Sequence, residues 1–137
     1  MVQADTDAER TVVHFFETLS TGDLEKVRVL LHDDVTWTPQ VKDIPGAGVH
    51  RGKKGIIDEF LAPVRGMFKP GDPKVHLLSI VSKGPLVMLE SHGLGALANG
   101  KPYDNRYAWA VEVRDGKIFA IREYMDSLYV SKLFAAD

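Results

Sequence analysis

Three side chains have the types and spacing for proton transfer: Glu90, His92 and Asp126. Glu90 and His92 sit in the run Leu86 to Leu97, where the two-residue strand period places them on one face with Leu86, Met88 and Leu94. A carboxylate inside so apolar a strand is costly unless paired, and a histidine beside carboxylates can move a proton near neutral pH. Asp126 closes the stretch Tyr103 to Asp126, which reads as two strands around a tight Asp115-Gly116 turn. Desolvation at a strand end beneath helices would raise a carboxyl's pKa into the range useful for acid–base work. In that closing strand Ile118, Ala120, Arg122, Tyr124 and Asp126 share one face, and Phe119, Ile121, Glu123 and Met125 the other. The first set runs from apolar to polar, as expected where a core opens into a polar-floored pocket. The competing readings are structural: Glu90 and His92 on a solvated part of the sheet, and Asp126 capping the segment from Ser127 or pairing with Arg122.

Other groups are weaker candidates. Trp37 and Trp109 fit core packing or a dimer face ahead of substrate stacking. Tyr107 shares the Trp109 face with Asn105 and has a hydroxyl able to donate to an oxyanion. His14 reads as a spacer, His32 as a helix-end residue beside Asp33 and Asp34, and His50 as part of a glycine-rich loop. The five histidines show no HxxxH or HxH spacing and there is no cysteine, so no metal is expected. Phosphate loops, dinucleotide fingerprints and a GxSxG elbow are missing too, and no cofactor is expected. A net charge of -2 without a basic cluster offers nothing to nucleic acid or an anionic membrane. No apolar run approaches the ~18 residues of a membrane span, and the polar N-terminus is unlike a signal peptide. The expectation is one cytoplasmic domain over residues 1–137.

The elements that must position these groups are well punctuated. Thr6-Asp-Ala-Glu9 is a capping box opening a helix to about Ser20, with Val12, Phe16 and Leu19 buried. Gly22 ends it and Asp23 caps a second helix. Val35 to Thr38 reads as a strand stopped by Pro39. The long loop from Gln40 to Gly52 is a candidate lid or pocket rim, and a third helix from Lys53 should be kinked or split by Pro63. The remainder reads as strands Lys74 to Ser82, Leu86 to Leu97, Pro102 to Arg114 and the closing strand, with a second type I′ turn at Asn99-Gly100 and a short terminal helix from Ser127 to Phe134. Helices first and a meander afterwards give an α+β domain, a bent antiparallel sheet covered on one face by three N-terminal helices, with a cone-shaped hollow between the layers.

This layout resembles the nuclear-transport-factor-2-like superfamily, in particular its SnoaL-like and ketosteroid-isomerase-like branch. The resemblance is carried by Phe16 to Leu19 with Gly22-Asp23-Leu24, Asp34 to Trp37, His50-Arg51-Gly52 through Ile57, Glu90, Asn105 to Tyr107, and Asp115-Gly116-Lys117-Ile118 through Arg122 to Asp126. It implies a cone-shaped roll that is often a homodimer through the outer sheet face. Ketosteroid isomerase's catalytic tyrosine and aspartate base fall at Phe15 and Pro39, and its donor at Ala108 or Tyr107, so that mechanism is not expected. Limonene epoxide hydrolase resembles the C-terminal end more closely, its catalytic aspartate matching Asp126, although its water-holding pair falls at Trp37 and Pro39. Its remaining Arg and Asp fall at Glu90 and His92 if the middle strand is anchored at the Asn99-Gly100 turn, and at Ser91 and Gly93 one residue earlier. The turn anchor is preferred because a hairpin turn fixes register. The resulting expectation is a cofactor-free isomerase, lyase or epoxide-hydrolase type of enzyme acting on a small, largely apolar, cyclic molecule. His92, Asp126 and Glu90 would be its catalytic groups, and Phe16, Trp37, Phe60, Met67, Tyr107 and Tyr124 would bind substrate. The alternative is a non-catalytic ligand-binding or dimerisation module.

Overall fold

The computed structural model describes residues 2–135. Helix α1 (Asp7–Thr21) starts where the Thr6 hydroxyl accepts the Glu9 N–H and stops at Gly22, whose φ of 81° is the left-handed cap geometry. Only half of the expected capping box forms, because the Glu9 carboxylate accepts from the Asp5 N–H and the Ser82 hydroxyl. The short α2 (Leu24–Arg28) is capped by Asp23 and leads into β1 (Leu31–Pro39). A two-residue strand, β2 (His50–Arg51), pairs back on β1 and opens α3 (Gly52–Ile56). A π-helical turn (Ile57–Leu61) follows, then α4 (Ala62–Arg65). Pro63 has no N–H and its ring crowds the carbonyl four residues back, and the backbone widens ahead of it, splitting the helix into three segments. The widening shows in the Ala62 N–H, which donates to the Ile57 carbonyl.

Strands β3 (Lys74–Lys83), β4 (Leu86–Ala96), β5 (Pro102–Arg114) and β6 (Lys117–Met125) form the expected meander, and α5 (Ser127–Leu133) closes the described chain. The sheet runs β2-β1-β6-β5-β4-β3, curved and unclosed. It is not wholly antiparallel, since β1 lies parallel to β6. The core fills the concave side with Val12, Phe15 and Phe16 from α1, Val35 and Trp37 from β1, Ile56 to Leu61 from the third helical segment, and Leu89, Trp109, Val111 and Ile121 from the sheet. On the outer side Val81, Met88 and Tyr124 are exposed.

Two local irregularities decide which side chains face inward. Asp115 and Gly116 have φ of 54° and 70°, the type I′ turn expected. At the other turn only Gly100 is left-handed, with φ of 90°. There the Gly100 N–H donates to the Leu97 carbonyl and the Leu97 N–H to the Lys101 carbonyl, each at 2.8 Å. That is a three-residue loop with a glycine bulge, in place of the expected two-residue turn. The extra residue moves the β4–β5 register by one. A two-residue turn would pair Glu90 with Trp109 and His92 with Tyr107; the strands instead pair Leu89 with Trp109 and Ser91 with Tyr107. On β6, Phe119 is bulged out between Ile118, opposite Val113, and Ala120, opposite Glu112. Ile118 and Ile121 are consequently both in the core, and Glu123 and Met125 continue that inner face.

Candidate active site

Between the concave sheet and the helices lies a mainly apolar cavity of about 140 Å³. Its floor is the inward set of three strands: Ser91 and Gly93 from β4, Tyr103, Tyr107 and Trp109 from β5, and Glu123 and Met125 from β6. Trp37, Phe60 and Leu61 wall one side, Arg65, Met67 and Phe68 another, and Val130 and Phe134 close over from the C-terminal segment. Tyr107 and Trp109 stack with centroids 5.3 Å apart and planes 17° apart, giving the floor a flat aromatic strip. Gly93 makes room for it, because a Cβ there would sit 3.0 Å from the Tyr107 ring. The loop after β1 contributes Val41, Ile44, Pro45 and Gly46 to the rim. His50 fastens that rim, stacking on Phe60 at 3.9 Å while its Nε2 lies 2.7 Å from the Gly46 carbonyl.

The polar groups inside are few and specifically held. The Trp109 indole N–H donates to the Ser91 hydroxyl at 2.9 Å, and the Asn105 amide donates to the Tyr103 hydroxyl at 3.2 Å. The Tyr103 and Tyr107 hydroxyls are hydrogen-bonded to each other. Burial raises the Tyr103 pKa and holds that of Tyr107 well above its ordinary value, so both remain protonated donors across the physiological range. Glu123 is 7% exposed and accepts one hydrogen bond, 2.8 Å from the Trp37 indole nitrogen. Desolvation pushes its pKa up to about 7, against a small opposing effect from that bond. A carboxyl placed so can hold or release a proton at neutral pH, and its second oxygen is unclaimed among the described residues.

The sequence-predicted trio does not assemble. Glu90 lies on the outer sheet face, exposed, and accepts from the Ser79 hydroxyl at 2.8 Å. His92, on the same face, contacts Asp104. Asp126 is exposed and caps α5, accepting the Tyr129 N–H at 3.0 Å. None of the three side chains faces the cavity: the bulges at Gly100 and Phe119 put Ser91 and Glu123 inward, and Asp126 lies past the end of β6 as the cap of α5. Of the substrate-binding expectations, Trp37, Phe60, Met67 and Tyr107 line the cavity. Phe16 is fully buried beneath it, packed on Trp109 at 4.8 Å. Tyr124 is 43% exposed on the opposite face. Glu123 was within reach of the sequence, since it interrupts the apolar alternation of Ile121 and Met125 just as Glu90 interrupts its own strand. Asn105, Tyr103 and Arg65 carried no comparable signal.

A family model for a SnoaL-like domain matches residues 12–121. The chain belongs to the SnoaL-like family. This SnoaL-like chain is also similar to solved structures over nearly all its length. An NTF2-like protein of unknown function from Burkholderia pseudomallei is 18% identical, with 96% of this chain and 100% of that one covered at a TM-score of 0.84. TerC, co-crystallised with polyporic acid, is 19% identical, with 93% and 98% covered at a TM-score of 0.80. A protein from Jannaschia sp. assigned as a SnoaL-like polyketide cyclase is 17% identical, with 98% and 99% covered at a TM-score of 0.79. At these identities the likeness establishes the NTF2-like fold. No curated protein sequence matches the chain. No helix among the described residues is long and apolar enough to cross a membrane.

Proposed function

We propose that this SnoaL-like protein is an acid–base enzyme that moves a proton next to the carbonyl of a small ring-bearing molecule, with Glu123 as the proton carrier. The observation that carries the reading is Glu123 itself: a carboxyl held in an apolar cavity, oriented by one indole N–H, with a pKa of about 7. The Glu123 carboxylate takes the proton from the carbon beside the carbonyl, and the electron pair moves onto the carbonyl oxygen. Tyr107 supplies the hydrogen bond to that oxygen. The Tyr103 hydroxyl accepts from the Asn105 amide and shares a hydrogen bond with Tyr107 that either hydroxyl can donate; when Tyr103 donates it, the Tyr107 O–H is left to donate into the cavity. Protonated Glu123 then returns the proton at another carbon, an isomerisation, or the enolate carbon attacks a second carbonyl and closes a ring, with Glu123 giving its proton to the oxygen of that carbonyl. The ligand or assigned activity of the structural neighbours, polyporic acid and polyketide cyclisation, is in keeping with this substrate class. Epoxide opening loses its support, because the residue matching the hydrolase aspartate caps a helix.

The test is deuterium incorporation from heavy water into a panel of enolisable cyclic ketones, read by mass spectrometry. The wild-type protein should exchange at least one of them, with a rate rising through an inflection near pH 7 as Glu123 ionises. Glu123→Gln should lose about a hundredfold or more of that rate. His92→Ala and Asp126→Asn should keep it. Exchange that survives in Glu123→Gln removes the assignment.

A further inference from the structure

We propose that the cavity takes an acidic aromatic ligand, a flat ring system carrying one carboxylate or acidic enol, and that Arg65 is the residue that selects the acid. The assignment rests on the reading of this cavity as the substrate site. Arg65 lines the cavity at the end of α4, partly buried, yet it forms no ion pair with any described carboxylate. Its guanidinium donates only to two backbone carbonyls, from Nη1 to Asp72 at 3.3 Å and from Nη2 to Pro73 at 3.2 Å. The nearby Asp72 carboxylate is committed elsewhere, accepting the Ala96 N–H at 3.0 Å. A guanidinium has five N–H donors in a planar fork, so most of this one's capacity is unspent.

A half-desolvated cation whose partners are neutral carbonyls is costly unless an anion joins it. Burial pulls the Arg65 pKa below its ordinary value even though the charge of the nearby Asp72 carboxylate acts to raise it, in line with that cost. The two carbonyls fix the orientation of the fork, which suits it to hold a carboxylate or enolate through paired hydrogen bonds. Its backbone partners flank β3, while Glu123 is on β6, three strand spacings away or about 14 Å across the sheet at ~4.8 Å each. The Tyr107–Trp109 strip lies between them on β5. Cation at one end, flat aromatic surface in the middle and proton carrier at the other define a ligand with an acid at one end of its rings and the reacting carbon at the other.

The test measures binding of 2-naphthoate and its neutral analogue 2-naphthamide by quenching of Trp37 and Trp109 fluorescence at pH 6, where Glu123 is mostly protonated. Wild type should bind naphthoate at least tenfold more tightly than naphthamide. Arg65→Met should bring the two affinities within about twofold by weakening naphthoate, and Arg65→Gln gives the same readout should the methionine variant not fold. Naphthoate that binds wild type no more tightly than naphthamide, or not at all, overturns the proposal, as does a preference that survives removal of Arg65. Because Glu123→Gln leaves Arg65 intact, it should keep the preference at pH 6. Failure of the exchange experiment with that preference intact would remove the catalytic role of Glu123 and leave the role of Arg65 standing.

Discussion

Burying Glu123 should leave a measurable mark on stability as a function of pH. Its pKa is raised from an ordinary 4.5 to about 7 in the folded protein. Between those values the folded state binds a proton that the unfolded chain has released, so stability falls as pH rises. The contribution is fully present below the unfolded pKa and is lost as pH rises through the folded one. At 1.36 kcal/mol per tenfold change in ionisation, the whole effect is about 3 kcal/mol, of which ~2.5 falls between pH 5 and pH 8. Glu123→Gln removes the titration and keeps an oxygen able to accept the Trp37 N–H. Urea unfolding of both proteins at half-unit steps from pH 5 to pH 8 isolates the residue, because every other group titrates in both. The stability difference, glutamine variant minus wild type, should climb with pH by roughly 2 to 3 kcal/mol. A flat difference would mean that Glu123 is solvated or paired in the folded state and is not the proton carrier. A glutamine variant more stable at pH 8 yet inactive would identify a carboxyl kept for chemistry at a cost in stability.

Two further outcomes follow from the same geometry. Asp126→Ala should cost about 1 kcal/mol through loss of the α5 cap and leave deuterium exchange intact, whereas Asp126→Asn, which keeps an accepting oxygen, should be near neutral in both assays. Gly46→Ala should destabilise by about 1–2 kcal/mol and weaken naphthamide binding, because φ is 92° there and the added Cβ would sit 3.2 Å from Phe60. Gly48→Ala, at φ 98° with nothing within 4 Å, carries the backbone strain without the contact and should cost less.

The fold was legible because its signals are local and redundant. Thr6, Gly22 and Asp23 bound the first helices, and Asp115-Gly116 with its alternating neighbours gives the closing hairpin. The site was not legible in the same way, because it depends on parity, and one inserted residue inverts parity along a whole strand. Asn99-Gly100 carries the dipeptide of a two-residue turn, but Ala98 joins the loop and the register moves by one. Phe119 looks like a member of an alternating face, but it is the bulge residue that lets Ile118 and Ile121 both enter the core. Nothing in the composition of either segment distinguishes the bulged pairing from the regular one; the choice is made by how the whole sheet packs. The residues that line the cavity from outside the meander, Trp37 and Phe60, were reached because bulk alone places them in a core.

The irregularities that hid the site also build it. A bulge bends its strand and increases the local twist, and a sheet curved that way can hold a cavity against helices that a flat sheet would pack without a gap. The π-helical turn at Ile57–Leu61 adds to this on the opposite wall, turning Phe60 toward Trp37 at 5.6 Å, with His50 stacked on its other side. These three departures from regular structure therefore touch the same hollow. One bulge brings Glu123 in, the glycine loop brings Ser91 and Gly93 opposite Tyr107 and Asn105, and the widened helix leads to Arg65. Removing the Phe119 bulge would do more than shift one side chain. It would turn Arg122 and Tyr124 inward in place of Glu123 and Met125, take the carboxylate partner away from the Trp37 indole, and leave the cavity without a carboxyl to titrate.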